Sequence, residues 1–266
     1  MKKTNIYWLL ACLLAMVASC NSDDIINNSQ IPNNKDKVFT VTATLGEDND
    51  VTQSVESRLA LAEEANKVSV SWEVNDEIDL LIVQGDVKKS QKVKVTEVTN
   101  EGKTAKFSFS VPEEIDSSKA FDLYGVHGGI GLDKDTEFAN LAKNLSASTS
   151  LKDIQDNKNI ILYFQQKGVS LNNLSVNFKH IGSLFRIKIK NNSSEALEGI
   201  KSIGLRGVNN VNKNWVVNNA GGDAKFDLIN GKITSSTSSS GNNVTFTASN
   251  PVIGAGEIAT FWAWYP

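Results

Sequence analysis

Cysteine is nearly absent from this 266-residue chain: Cys12 and Cys20 are the only two, and both lie within the first 20 residues. A disulfide framework is therefore excluded for everything that follows, and a chain of this composition has to be stabilised by core burial. Histidine is equally scarce. His127 and His180 are far apart in sequence, and transition-metal sites draw on clusters of His, Cys and carboxylates, so neither a metal site nor any other cofactor is expected. Basic clusters are missing as well. The formal net charge is −3, which argues against a nucleic-acid partner. No apolar run reaches the roughly 20 residues that a membrane-spanning helix needs.

What is present begins with the stretch MKKTNIYWLLACLLAMVASCNSDD. Lys2 and Lys3 are followed by an apolar run over residues 6–17, then by Ala18 and Ser19 before Cys20. Positive start, short apolar run and small residues fit a cleaved secretory signal. The VASC ending resembles a bacterial lipobox, which implies removal of residues 1–19 and a lipid on Cys20. The pair Asp23-Asp24 resembles the signal that sends lipoproteins to the outer face of the outer membrane in Bacteroides-type bacteria. Loss of the two lysines takes the net charge from −3 to −5. Residues 20–37, rich in Asn, Asp and Lys, read as a disordered tether. An acyl anchor would leave the folded part beside the membrane.

From Val38 the texture changes. Phe39, Val41, Ala43 and Leu45 alternate with threonines at period two, the mark of a half-buried strand. A long polar connection over residues 46–67 follows, with weak helical character at LALAEEA. Such connections are uncommon inside compact domains and are usually functional or disordered. Strand signals then recur at Val68, Val70 and Trp72, at 78–83, at Val93 and Val95, at Ala105, Phe107, Phe109 and Val111, and at 121–126. Phe138, Leu141 and Leu145 stand at helical spacing after the potential cap Thr136, which predicts one short helix. Strands resume at 160–165, 174–178 and 184–190, at Ile203 and Leu205, at Val244, Phe246 and Ala248, and at 257–265. In FDLINGKIT, Asn230-Gly231 predicts a two-residue type I′ hairpin. A dozen or so short strands with at most one helix argue for antiparallel β-sandwiches. The expected domains are 38–167 and 168–266.

Few constellations suggest chemistry. His180 stands three residues from Ser183, but no third group is at hand to orient a base towards a nucleophile. Asp76, Glu77 and Asp79 suggest the paired carboxylates of a glycosidase, although NDE also reads as the turn that starts a strand. Gly125, Gly128, Gly129 and Gly131 do not open a helix and lack the Lys-Ser/Thr pair of a phosphate loop. Trp262 and Trp264 share one face of the last strand, where they either stack on a sugar ring or pack in the core.

Taken together, the lipobox, the opening strand, Ser57-Arg58 in the long connection, WEVNDEIDLLIV and VNFKHIGSLFRIKIKN resemble the fimbrillin family of Bacteroides and its relatives, the Mfa-like and FimA-like lipoprotein precursors of surface pili. Trp72, Asp76 and Ile78 match the family pattern W-x-x-x-D-x-I. Phe178, His180, Ser183, Ile187 and Ile189 match F-x-H-x-x-S-x-x-x-I-x-I. The resemblance implies two consecutive transthyretin-like β-sandwich domains and no catalysis. It also implies cleavage by an arginine-specific protease after Arg58, loss of the strand carrying Phe39, Val41, Ala43 and Leu45, and polymerisation with other fimbrial subunits by strand exchange. The C-terminal domain ends at FWAWYP with no further strand, which leaves it incomplete or makes that end the donor. An adhesin would add a host surface or a glycan as partner. The alternative is a glycan-binding lipoprotein of a polysaccharide-uptake system, which shares the anchor and the sandwiches but displays aromatic platforms.

Overall fold

The structure, a computed structural model, describes residues 38–46, 60–64, 67–141, 145–156, 160–169, 174–206, 224–234, 243–248 and 251–266. All of these belong to one compact unit, Asn34–Pro266. Cys20, the expected tether and Arg58 lie outside the described residues.

The fold is all-β, with a single short helix, α1 (Leu151–Asp156), among the described residues. Seven strands form a closed ring in the order β1 (Val38–Leu45), β12 (Ser175–Ile181), β11 (Ile161–Val169), β7 (Phe121–His127), β4 (Glu77–Gln84), β5 (Val87–Thr99) and β6 (Thr104–Ser110), and β6 returns to β1. The ring closes because β1 pairs with both β6 and β12, and the long β5 carries a bulge between Val95 and Glu97, a device that bends a strand and increases its twist. Inward positions fill the ring with Val41, Ala43, Phe107, Leu80, Leu123, Phe164 and Phe178, all buried.

A five-stranded sheet follows the order β13 (Ser183–Lys190), β18 (Ile258–Tyr265), β10 (Ser146–Ser148), β17 (Asn243–Ala248) and β14 (Ser202–Arg206). Strand β18 serves two cores. Trp262 and Trp264 enter the core of the ring, whereas Phe261 and Ala263 join Val244 and Phe246 on the other face. A small sheet, β16 (Lys232–Thr234), β15 (Lys225–Asp227), β9 (Phe138–Asn140) and β8 (Gly131–Leu132), packs Phe226 and Leu228 with Leu81, Tyr124 and Ile161, which face out of the ring. The hairpin of β2 (Ala60–Glu64) and β3 (Lys67–Ser71) adds Val68 and Val70 to the ring core.

Several expectations need correction. Pairing is not wholly antiparallel, because β1 runs parallel to β12 and β10 parallel to β17. LALAEEA is not helical over Ala60–Glu64, where register with β3 overrides its helix formers. Phe138 does not start a helix. The Thr136 hydroxyl instead accepts the Phe138 N–H at 3.2 Å, and Phe138–Asn140 pairs with β15 and β8; the helix forms later, at α1. The Asn230-Gly231 turn is not a two-residue hairpin. The loop has four residues, 228–231, and only Gly231 has positive φ, because Leu228 is pulled into the core and the Asp227 carboxylate accepts the N–H groups of Ile229 and Asn230. The expected boundary between residues 167 and 168 falls inside β11, and the next strand, β12, completes the ring.

Candidate functional site

Strand β1 is held on both flanks, by β6 antiparallel and by β12 parallel. Of the four residues expected to leave with it, Val41 and Ala43 are fully buried and Phe39 and Leu45 pack against the same core. Phe39 meets Phe109 at 5.8 Å between ring centroids. The outward threonines contribute only local polar contacts, such as Thr40 with Ser108.

The two segments that carry the family resemblance meet in the core. Trp72 stands edge-on to Phe178 at 4.9 Å and to His127 at 5.6 Å. Asp76 closes the turn beneath it: its carboxylate accepts the Glu73 N–H at 2.6 Å, Asn75 takes a φ of 76°, and the Asn75–Asp76 backbone exchanges two hydrogen bonds with Val95. Ile78 then enters the core at the start of β4. His180 lies against Trp264 at 5.5 Å, whose indole N–H donates to the Ile181 carbonyl. Immediately after, Gly182 turns the chain out of the ring, so Ser183 opens β13 in a different sheet and pairs with Tyr265. Trp262 and Trp264 are 5 % and 3 % exposed, and the Arg186 guanidinium covers the Trp262 ring at 5.1 Å. They form no open platform.

Two segments of the sequence that looked unrelated come together in a cleft of about 500 Å³. Register pairs Ile78 with His127, so the acidic turn before β4 faces the glycine loop after β7. Glu73, Asp76, Glu77 and Asp79 line one wall and the backbone of 128–131 the other, with Lys92, Gln155 and Ile160 between them. His127 Nδ1 lies 2.7 Å from the Glu77 carbonyl oxygen, so the ring donates from that nitrogen. Lys92 reaches Asp79 at 2.9 Å and Glu77 at 3.8 Å. Gly131, at φ 110°, leaves space beside Asp79, where a Cβ would lie 3.1 Å from its carboxylate. The charges of Asp76, Glu77 and Asp79 were legible as an acidic turn and the glycines as a loop. Their neighbourhood was not, since it depends on which strand β4 pairs with. Glu73, Lys92 and Gln155 carried no signal of their own. Among the described residues no group of three His, Cys, Asp or Glu side chains is placed to hold a metal ion.

No family model, no curated protein and no solved structure matches this chain.

Proposed function

We propose that the chain is a structural subunit or adhesin of a cell-surface fimbria, exported as a lipoprotein through Cys20 and assembled by strand exchange after cleavage at Arg58. The observation that supports this reading is the place of β1, which precedes the Arg58 connection and closes the ring between β6 and β12. Its departure would leave an apolar groove where Val41 and Ala43 lay, with unpaired backbone on both neighbours. Sheets ordinarily avoid that state because it templates pairing with another chain. A strand from a second subunit would restore main-chain hydrogen bonds for affinity and alternate pockets for specificity. Residues Trp72 and Phe178, one from each family-like segment, support the same reading by packing together beneath the strand pairs that frame the groove.

Treatment with an arginine-specific protease tests the proposal. An early cut after Arg58, followed by oligomers and then filaments under the electron microscope, is the expected result. A cut chain that stays monomeric with Val38–Leu45 still bound overturns it. The glycan-binding alternative called for exposed aromatic faces, and the burial of Trp262 and Trp264 counts against it. Saturable heat on titration with glycans, lost in Trp262→Ala and Trp264→Ala variants that remain folded, would restore it.

A further inference from the structure

The acidic cleft has a counterpart of opposite sign on the same chain. Four carboxylates and Lys92 line the cleft; Lys92 is already held by Asp79 at 2.9 Å, and Lys94 also lies 3.9 Å from Glu77. No ion pair among the described residues reaches Glu73. One apolar residue of the lining, Ile130, is more than half exposed. On the five-stranded sheet, β13 is an edge strand whose outward residues are Arg186, Lys188 and Lys190. Arg186 is taken by Glu63 at 2.7 Å, whereas Lys188 and Lys190 have no ion pair among the described residues. Directly opposed residues of an antiparallel pair share a face, and Ile258 stands opposite Lys190 with 60 % of its surface exposed. One surface is thus negative with an exposed Ile130 in its lining and the other positive with an apolar neighbour.

We propose that the two surfaces dock on each other between copies of this chain, with Lys188 and Lys190 of one copy entering the cleft around Glu73 of the next. A lysine lays its methylene stem along apolar surface and carries its charge beyond it, which matches a cleft lined by Ile130 and by carboxylates. The surfaces lie on different sheets, so each copy offers one of each, and the contact propagates from copy to copy where the geometry does not close it as a ring or a two-fold pair. Exposed pairs contribute only about 0.2–1 kcal/mol each. The contact is therefore weak and salt-sensitive, and it serves to steer and align copies before a stronger link forms. Its role in a filament rests on the fimbrial reading, but the contact itself does not.

Sedimentation velocity of the uncut full chain at low and high salt reads the contact without any proteolysis, so a failure of cleavage or of filament growth leaves the result untouched. The expected outcome is concentration-dependent association at low salt that high salt abolishes. Two charge-reversed variants, Lys188→Glu with Lys190→Glu and Glu73→Lys with Glu77→Lys, should each stay monomeric and should associate when mixed, each restoring the other's complement. Circular dichroism and melting of both variants establish that they are folded. A wild-type chain that is monomeric at low salt overturns the proposal, as does association unchanged by either reversal, or folded variants that fail to associate on mixing. Titration with lysine amide or glucosamine followed by NMR shifts at Glu73 and Asp79, in a chain that does not self-associate, would assign the cleft to a small amine instead of a second copy.

Discussion

Gly182 is the single residue on which the passage from ring to second sheet turns. Its φ is 100°, and a Cβ there would lie 2.1 Å from the Tyr265 carbonyl oxygen and 2.5 Å from the Pro266 Cα. Both obstacles are backbone of β18 and its end, which cannot swing aside as a side chain can. Gly182→Ala should therefore destabilise the fold by about 3 kcal/mol or more, read as a fall in the urea midpoint, while Gly85→Ala should cost less, because φ 59° is its only obstacle. Equal effects would refute this account of the corner. Trp72 offers a second test at the same scale. It is 2 % exposed, and its indole N–H has no hydrogen-bond partner among the described residues. Trp72→Ala removes the ring that joins Phe178 to His127 and should cost about 3–5 kcal/mol. Trp72→Phe keeps most of the packing and relieves an unpaired buried donor, a group whose burial costs about 1–3 kcal/mol. It should cost less than half as much, and a Phe variant as unstable as the Ala variant would contradict the reading.

At the scale of elements, the small sheet is fastened to the ring by carboxylates. Asp135 accepts the Ser90 N–H at 2.8 Å and Glu137 meets Lys88 at 2.7 Å, both on β5 of the ring, while Asp133 accepts from Lys225 and Asn140 within the small sheet itself. The Lys225 hydrogen bond holds Asp133 below the ordinary carboxylate range, the Ser90 N–H does so for Asp135, and Lys88 for Glu137. A group whose folded pKa is depressed adds stability above its unfolded pKa, about 4 for these acids, and that stability is lost as pH falls through the folded value. The strands β8, β9, β15 and β16 should accordingly loosen below about pH 4 before the ring does. Hydrogen exchange at successive pH values checks this: protection at Ala139 and Phe226 should fall before protection at Phe164, and a simultaneous loss would sink it. The same elements mark where sequence was and was not a guide. Strands β1 and β6 were legible because one face is apolar and the other threonine, serine or lysine. Most of β5 was hidden, since its first half carries lysines that pair with acids on β4 and in connecting segments rather than apolar residues. Phe138 and Leu141 stand at helical spacing by coincidence: Phe138 pairs with Asp227 of β15, and the Leu141 N–H donates to the Ala224 carbonyl. Hydrogen bonds from the loop amides to the Asp227 carboxylate decide a turn that Asn-Gly alone does not fix.

For the whole molecule the all-β character followed from period-two patterning, but the ring did not, because closure depends on pairing Thr42 with Ser175 and no local pattern encodes that partner. The cleft shares this cause, as its two walls meet only once β4 lies beside β7. Pairings this distant slow folding, since loop closure precedes any reward from contact, and all-β domains of this kind fold in about milliseconds to seconds. Stopped-flow refolding followed by tryptophan fluorescence should show its main phase in that range, because Trp262 and Trp264 report closure of the ring core. A main phase in microseconds would mean that the core forms without the distant strands.

The parallel pairing of β1 with β12 also sets an order of events as the chain emerges. β1 comes out first, can settle against β6 once Ser110 has appeared, and then presents its other edge until residues 175–178 arrive. At about 5–20 residues per second that interval lasts on the order of several seconds, in which a half-closed ring with an open strand edge is in the company of its identical neighbours. The longer the interval between the arrival of Ser110 and of Ser175, the longer that edge of β1 stands open.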